Sequence, residues 1–208
     1  MGRKRRGQPI NGWIVLDKPA GVTSSQAVAA VRRHLDAAKA GHGGTLDPLA
    51  TGVLPVALGE ATKTVSWAME GRKLYRFTLR WGEARDTDDA QGQVVATSPV
   101  RPKAPAITAA LPAFTGTIQQ RPPDDSALKV AGERAYDLAR AGVAFDLAPR
   151  PVVVDRLALT GVPDPDHADF EALVGKGTYV RALALDLGAA LGTHARVVAL
   201  RRHAIGRI

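Results

Sequence analysis

The stretch Gly41–Lys63, GHGGTLDPLATGVLPVALGEATK, decides how the rest of the chain is read. It is too irregular and too rich in glycine for a helix or a plain strand, yet it carries one His and one Asp among mostly apolar residues. Gly41, Gly43, Gly44 and Gly52 permit backbone angles closed to other residues and allow a ligand close to the main chain. Such a loop costs conformational entropy on folding, which points to a function.

Around it lies a chain of 208 residues, long enough to bury roughly 70% of its unfolded surface around one core. With no cysteine, the protein has no disulfides, thiolate metal sites or cysteine nucleophiles, as suits a reducing compartment, and the cytoplasm is the expected location. No apolar run is long enough to span a membrane. Basic residues number 28 against 20 acidic ones, a formal charge of +8. Residues 1–11 form a basic N-terminal arm through Arg3, Lys4, Arg5 and Arg6, with the charge but not the apolar core of a signal peptide. The arm alone reads as a solvated terminus. With the basic composition of the whole chain it favours an anionic partner, nucleic acid above all.

Gly12–Leu16 reads as a strand, and Thr23 with Gln26 forms a capping box for a helix that sets Val28, Val31 and Leu35 on one face and Arg32 and Arg33 away from it. Val53–Leu58 is apolar enough for burial before a helix around Glu60–Met69. From Lys73 the period becomes two: Tyr75, Phe77, Leu79 and Trp81 alternate with more polar residues, as in a half-buried strand. Gly82–Gly92 reads as a turn and Val94–Thr97 as the returning partner strand. Ile107–Phe114 and Glu133–Ala141 read as helices, and Gln120–Lys129 as irregular. Val152–Leu159, Ala168–Val174 and Val197–Leu200 read as strands, with a helical stripe through Leu183, Leu187 and Leu191. Strands joined largely by turns and flanked by helices predict an α+β fold with a mixed, mainly antiparallel sheet, residues 12–208 forming one domain.

GKGT at Gly175–Thr178 is no Walker loop, because the glycine that loop needs five residues earlier is Phe170. Two acidic groups, Asp86 with Asp88 and Asp89, and Asp164 with Asp166, His167 and Asp169, read as solvated hairpin acids rather than metal sites. Taken alone, Asp47 before Pro48 reads as a turn residue.

The run His42-Gly-Gly-Thr-Leu-Asp47-Pro-Leu-Ala-Thr-Gly52 resembles the central motif of the pseudouridine synthases, in the form found in the bacterial tRNA pseudouridine synthase B (TruB) family. The resemblance continues through GWIVLDKPAGVTS (Gly12–Ser24), LPVALGEATK (Leu54–Lys63), YRFTLRWGEARDTDDAQG (Tyr75–Gly92), SALKVAGERAYDLARAG (Ser126–Gly142), GKGTYVRALALDLG (Gly175–Gly188) and VVALRR (Val197–Arg202). It implies the pseudouridine synthase fold and the isomerisation of a T-loop uridine of tRNA, position 55 in tRNA numbering, with no cofactor and no metal. The partner would be the tRNA T-arm and the protein a monomer.

By that resemblance Asp47 is the carboxylate acting while the glycosidic bond breaks, and Arg181 the cation keeping it ionised. Tyr75 lies against the flipped base and is placed to take the final proton. Tyr179 and Leu200 contact the base, and His42 fills the space the base leaves. Tyr179 and Arg181, two residues apart, would share a face in extended backbone. A second reading of Tyr75 is an inward core residue, and of Leu200 a core leucine. The chain departs from the family pattern at Gly43, where a small side chain such as Thr is usual and a looser loop is expected. It departs also at Asp125, where an aromatic is normal, and at Arg196, where His is common. The family usually continues into a C-terminal RNA-binding domain beyond the equivalent of Ile208, so this chain would grip tRNA without it. Asp125 and that shorter length keep open a tRNA-binding folding helper with weak or no catalysis. A synthase with another RNA target is the third reading.

Overall fold

The computed structural model describes residues 7–85, 93–123, 126, 129–130, 133–134, 141, 143 and 145–208. By internal contacts the chain forms two units, Met1–Arg76 with Ala199–Ile208, and Phe77–Val198.

In the first unit, β1 (Gly12–Lys18) runs antiparallel to β3 (Thr51–Leu58), from Gly12 opposite Leu58 to Lys18 opposite Gly52. β2 (Ala40–His42) pairs antiparallel with the same strand and sets His42 opposite Val56. The Gly41–Lys63 stretch is therefore more regular than expected. Only residues 43–50 form a loop, and its ends are strands despite Gly41 and Gly52. The C-terminal strand β12 (Ala195–Ile205) joins β3 in parallel through Arg201–Thr51 and Arg202–Gly52, and next to it lies β4 (Lys73–Trp81). Between β1 and β2, α1 (Ser24–His34) starts at the expected capping box: the Thr23 side chain accepts from the Gln26 N–H, and the Gln26 side chain accepts from the Thr23 N–H. Ser24 and Ala27 are buried, while Val31 and Leu35 remain half-buried along a groove of about 720 Å³ that contains none of the six candidate site residues. The expected helix around Glu60–Met69 is split into a 3-10 turn, Gly59–Thr64, and α2 (Val65–Glu70).

β4 continues into the second unit, where the order is β12, β4, β11 (His167–Val174), β10 (Arg150–Asp164) and β7 (Gly116–Gln120). The predicted alternation along β4 holds, with Tyr75, Phe77, Leu79 and Trp81 all buried. Phe77 stacks on Phe170 of β11 at 5.4 Å between centroids, and Trp81 meets the same ring edge-on at 6.4 Å. α3 (Ala104–Ala110) begins earlier than expected because Pro105 is tolerated in a first helical turn, and the 3-10 turn Leu111–Phe114 follows. α4 (Val180–Ala190) buries Leu183 and Leu187 as its periodicity predicts. The sheet is mixed and mainly antiparallel, and the fold is α+β.

Several local readings are corrected. Glu83–Arg85 is a strand, β5, within the expected turn, and β6 (Val94–Thr97) pairs with β5 rather than β4. β7 extends through Gln120, read earlier as irregular. Lys129–Val130 and Glu133–Arg134 form a two-stranded ladder, β8 and β9, where a loop end and a helix start were expected. Residues 135–140 of that predicted helix, together with Arg3–Arg6, Asp86, Asp88, Asp89 and Asp125, lie outside the described residues, and Ala141 is in a turn. The second acidic group is a hairpin tip: Asp164 pairs with His167 at 2.8 Å, Asp166 with Arg101, and Asp169 accepts from Thr78 at 2.6 Å. Among the described residues no helix is long and apolar enough to cross a membrane.

Arg196, a departure from the family pattern, is 4% exposed and lies 3.3 Å from Glu83, which Arg85 also holds at 2.6 Å. Burial alone would raise the Glu83 carboxyl, but Arg85 and Arg196 hold it below its ordinary value of 4.5. A depressed folded-state value contributes stability above the ordinary glutamate range, and that contribution disappears as pH falls through the folded value. In chemical denaturation from pH 7 to 3, Glu83→Gln should be less stable than wild type at pH 7, and the gap should close below 4.5. A gap independent of pH would contradict the assignment.

Candidate active site

The loop carrying Asp47 has few internal bonds. The Asp47 carbonyl accepts the Ala50 N–H at 3.0 Å, closing the turn that Asp-Pro predicts, and the Gly43 N–H reaches the Pro55 carbonyl at 2.8 Å. The remaining polar groups must find partners elsewhere, because an unpaired buried backbone group costs about 1–3 kcal/mol. Three distant segments provide them.

Arg202, on β12 and 1% exposed, donates through Nε to Val53 O at 2.7 Å and through its two Nη atoms to Gly44 O at 3.2 Å and Thr45 O at 3.4 Å. Ser24, in the first turn of α1, bonds both polar groups of one residue: Oγ accepts the Leu46 N–H at 2.8 Å and donates to Leu46 O at 3.0 Å. Lys18, at the end of β1 and fully buried, donates to Pro19 O at 2.9 Å, Val22 O at 2.6 Å and Pro48 O at 3.4 Å. The Gly21 N–H also reaches Pro48 O, at 2.8 Å. Burial pushes the Lys18 ammonium below its ordinary value, and attraction to the Asp47 carboxylate opposes this. A cation is thus held beside Asp47, which is itself half-buried.

Two glycines have the backbone role proposed for all four. Gly44 (φ +103) and Gly52 (φ +101) occupy the left-handed region, and a side chain at Gly52 would collide with the Arg202 carbonyl. Gly43 does not. Its backbone is bonded, and an added Cβ would meet Ala68 at 3.3 Å, so the loop at this point is held and closely packed rather than loose.

Four predicted residues share the first unit: His42 on β2, Asp47 on the loop, Tyr75 on β4 and Leu200 on β12. Leu200 and Arg202 are two apart on one strand and both buried, so Leu200 points to the face on which Arg202 carries the loop. Tyr75 is 8% exposed. Tyr179 and Arg181 belong to the second unit. The expected extended pairing of these two is corrected: Tyr179 is the N-cap of α4, and Arg181 is its second helical residue, 4% exposed. The glycines before them end the strand, and the apolar period of the helix begins immediately afterwards. Sequence reading missed Lys18, Ser24 and Arg202, although all three lie inside the quoted blocks; nothing in the LDK end of β1 or the RRH run of β12 separates a buried cation from a surface one.

The profile of the TruB family pseudouridylate synthase N-terminal domain matches residues 32–180. The chain is 60% identical over 203 residues to tRNA pseudouridine synthase B of Bradyrhizobium diazoefficiens and 61% identical over 204 residues to that of Gluconacetobacter diazotrophicus. It is covered to 98% in both matches and spans 59% and 67% of those relatives' lengths. Among solved structures, a Cbf5-Nop10-Gar1 complex matches with a TM-score of 0.71 at 33% identity, covering 94% of this chain and 49% of the other. An H/ACA RNP bound to a substrate RNA containing 2'-deoxyuridine matches at 0.68 and 27%, covering 99% and 54%.

The anchoring makes a graded expectation. Arg202→Met, which removes the donor to the carbonyls at 44, 45 and 53, should lower unfolding free energy by roughly 3–5 kcal/mol, and Ser24→Ala by roughly 1–3 kcal/mol, in urea titrations. Losses below about 0.5 kcal/mol for both would show that the anchors do not hold the loop. With the motif, the fold and the relatives in agreement, the chain belongs to the TruB family of pseudouridylate synthases.

Proposed function

We propose that this chain isomerises a T-loop uridine of tRNA, position 55 in tRNA numbering, to pseudouridine, acting as a cytoplasmic monomer whose residues 12–208 work as one catalytic domain. The observation that carries the reading is the Asp47 loop, held at Gly44, Thr45, Leu46 and Pro48 by buried donors, in a chain of this family. The names of the relatives, and the substrate RNA in one structural neighbour, support an RNA substrate.

In this reading the target uridine leaves its stack, and Asp47 acts at the reacting nucleoside as the N-glycosidic bond breaks. The base turns and a carbon–carbon bond forms to the ribose. The carboxylate must remain ionised in a pocket poor in water, which calls for cations. Lys18 supplies one beside it, and Arg181 is the cation assigned by resemblance. Tyr75 packs against the base and takes the final proton, Tyr179 and Leu200 complete the base contacts, and His42 occupies the space the base vacates. His42, whose backbone is held opposite Val56 by strand pairing, is assigned to extrusion rather than bond chemistry. The reaction needs no metal or cofactor.

The test is to incubate the protein with tRNA transcripts and map pseudouridine by chemical modification and primer stopping. Wild type should modify the T-loop uridine, Asp47→Ala should make no product, and His42→Ala should lose less single-turnover rate than Asp47→Asn. Product elsewhere would point to another RNA target. Binding without product would favour the folding-helper reading. With a net charge of +8, tRNA affinity should also fall steeply between 50 and 200 mM salt, and a flat response would contradict phosphate-dominated binding.

A further inference from the structure

The N-terminus of α4 has an unusual partner. Tyr179, its N-cap, is extended (φ −106, ψ 119) and has no side-chain cap bond. Both its backbone polar groups are instead bonded by one side chain, 59 residues away in sequence. The Tyr179 N–H donates to Gln120 Oε1 at 2.8 Å, and Gln120 Nε2 donates to Tyr179 O at 3.2 Å. Gln120 is 1% exposed and is the last residue of β7. Its amide therefore does for Tyr179 what a neighbouring strand would do, in a place where no strand continues.

We propose that Gln120 is a positioning residue for the reaction: it fixes the starting register of α4 and through it the direction of Arg181. The proposal rests on the pseudouridine synthase reading for its catalytic consequence. The segment before Tyr179 is anchored at Gly175, whose N–H reaches Val153 O at 2.7 Å, and more weakly by the Thr178 hydroxyl to the same carbonyl at 3.4 Å. Between them Gly177 is left-handed (φ +86), with open space where a side chain would be. At the helix end of this turn the Tyr179 carbonyl also accepts the Leu183 N–H at 3.1 Å, and Gln120 is the restraint that comes from outside the helix and holds both polar groups of Tyr179. A slip of α4 by one residue would break both amide bonds and swing Arg181 through about 100°. Gln120 is neither charged nor placed among the residues assigned to substrate, and its amide bonds only the backbone of Tyr179, so its effect passes along that backbone to Arg181.

A purely structural Gln120 would lower stability without touching the rate at temperatures where the variant is folded. A positioning Gln120 gives a different pattern. Gln120→Leu, and Gln120→Glu, which retains an acceptor but loses the donor to Tyr179 O, should each reduce kcat roughly 10- to 100-fold while KM changes less than about threefold. In an Arg181→Ala background Gln120→Leu should cost little more, because the residue acts through that side chain. Full additivity of the two losses, or unchanged kcat in folded Gln120→Leu, would overturn the proposal. Amide hydrogen exchange gives a readout that needs no activity. Gln120→Leu should speed exchange selectively across residues 178–183, and uniform acceleration throughout the protein would refute a local restraint. If wild type makes no pseudouridine on any transcript, the functional reading fails, and the exchange pattern still decides whether Gln120 sets the start of α4.

Discussion

The shape of the Asp47 loop depends on buried donors reaching carbonyls that no ladder can pair. Between β2 and β3 the chain turns through residues 43–50, and Arg202, Ser24 and Lys18 supply its missing bonds from a strand, a helix start and another strand. Burying two cations is costly unless every proton has a partner. Here the acceptors are backbone carbonyls at fixed positions, so the same bonds that offset desolvation also fix the backbone on either side of Asp47. Rigidity at the carboxylate and charge balance next to it have one origin.

The positive charge of the chain is accordingly divided between surface and interior. Lys18, Arg181, Arg196 and Arg202 are all buried or nearly so. Lys18 and Arg202 bind carbonyls, and Arg196 is committed to Glu83. Composition alone suggests a basic coat for nucleic acid. The structure adds that some of that charge is internal framework, which does not weaken with salt as an exposed patch does.

Local patterns in the sequence carried much of the fold. The capping box at Thr23 and Gln26, the apolar run of β1 and the alternation of β4 are each visible in a few neighbouring residues and appear as expected. What stayed hidden depended on partners far along the chain. Gly41 and Gly52 weaken a strand locally but are held by pairing. Gln120 sits before a proline-rich segment, so nothing nearby marks it as the end of β7. Val94–Thr97 reads as a strand, but its partner is a three-residue strand too short for a period to register. At the site, Asp47 and His42 were singled out by resemblance to a family motif, whereas Lys18 in LDKP and Arg202 in VVALRR resemble surface charges until their acceptors are seen. Tyr179 and Arg181 were placed in extended backbone because the glycines before them gave no sign that the helix begins at once.

The bonds from Arg202 to Gly44 and Thr45 span 158 and 157 residues. Contacts of such separation close large loops and form late, after local hairpins and helices have settled. The antiparallel β1–β3 pair and the α1 helix between them can assemble while the chain is still being made, but the motif loop lacks its guanidinium support until residue 202 has left the ribosome. The motif loop is therefore among the last segments to become rigid, and a nascent chain holds Asp47 in a backbone that does not yet have its final shape.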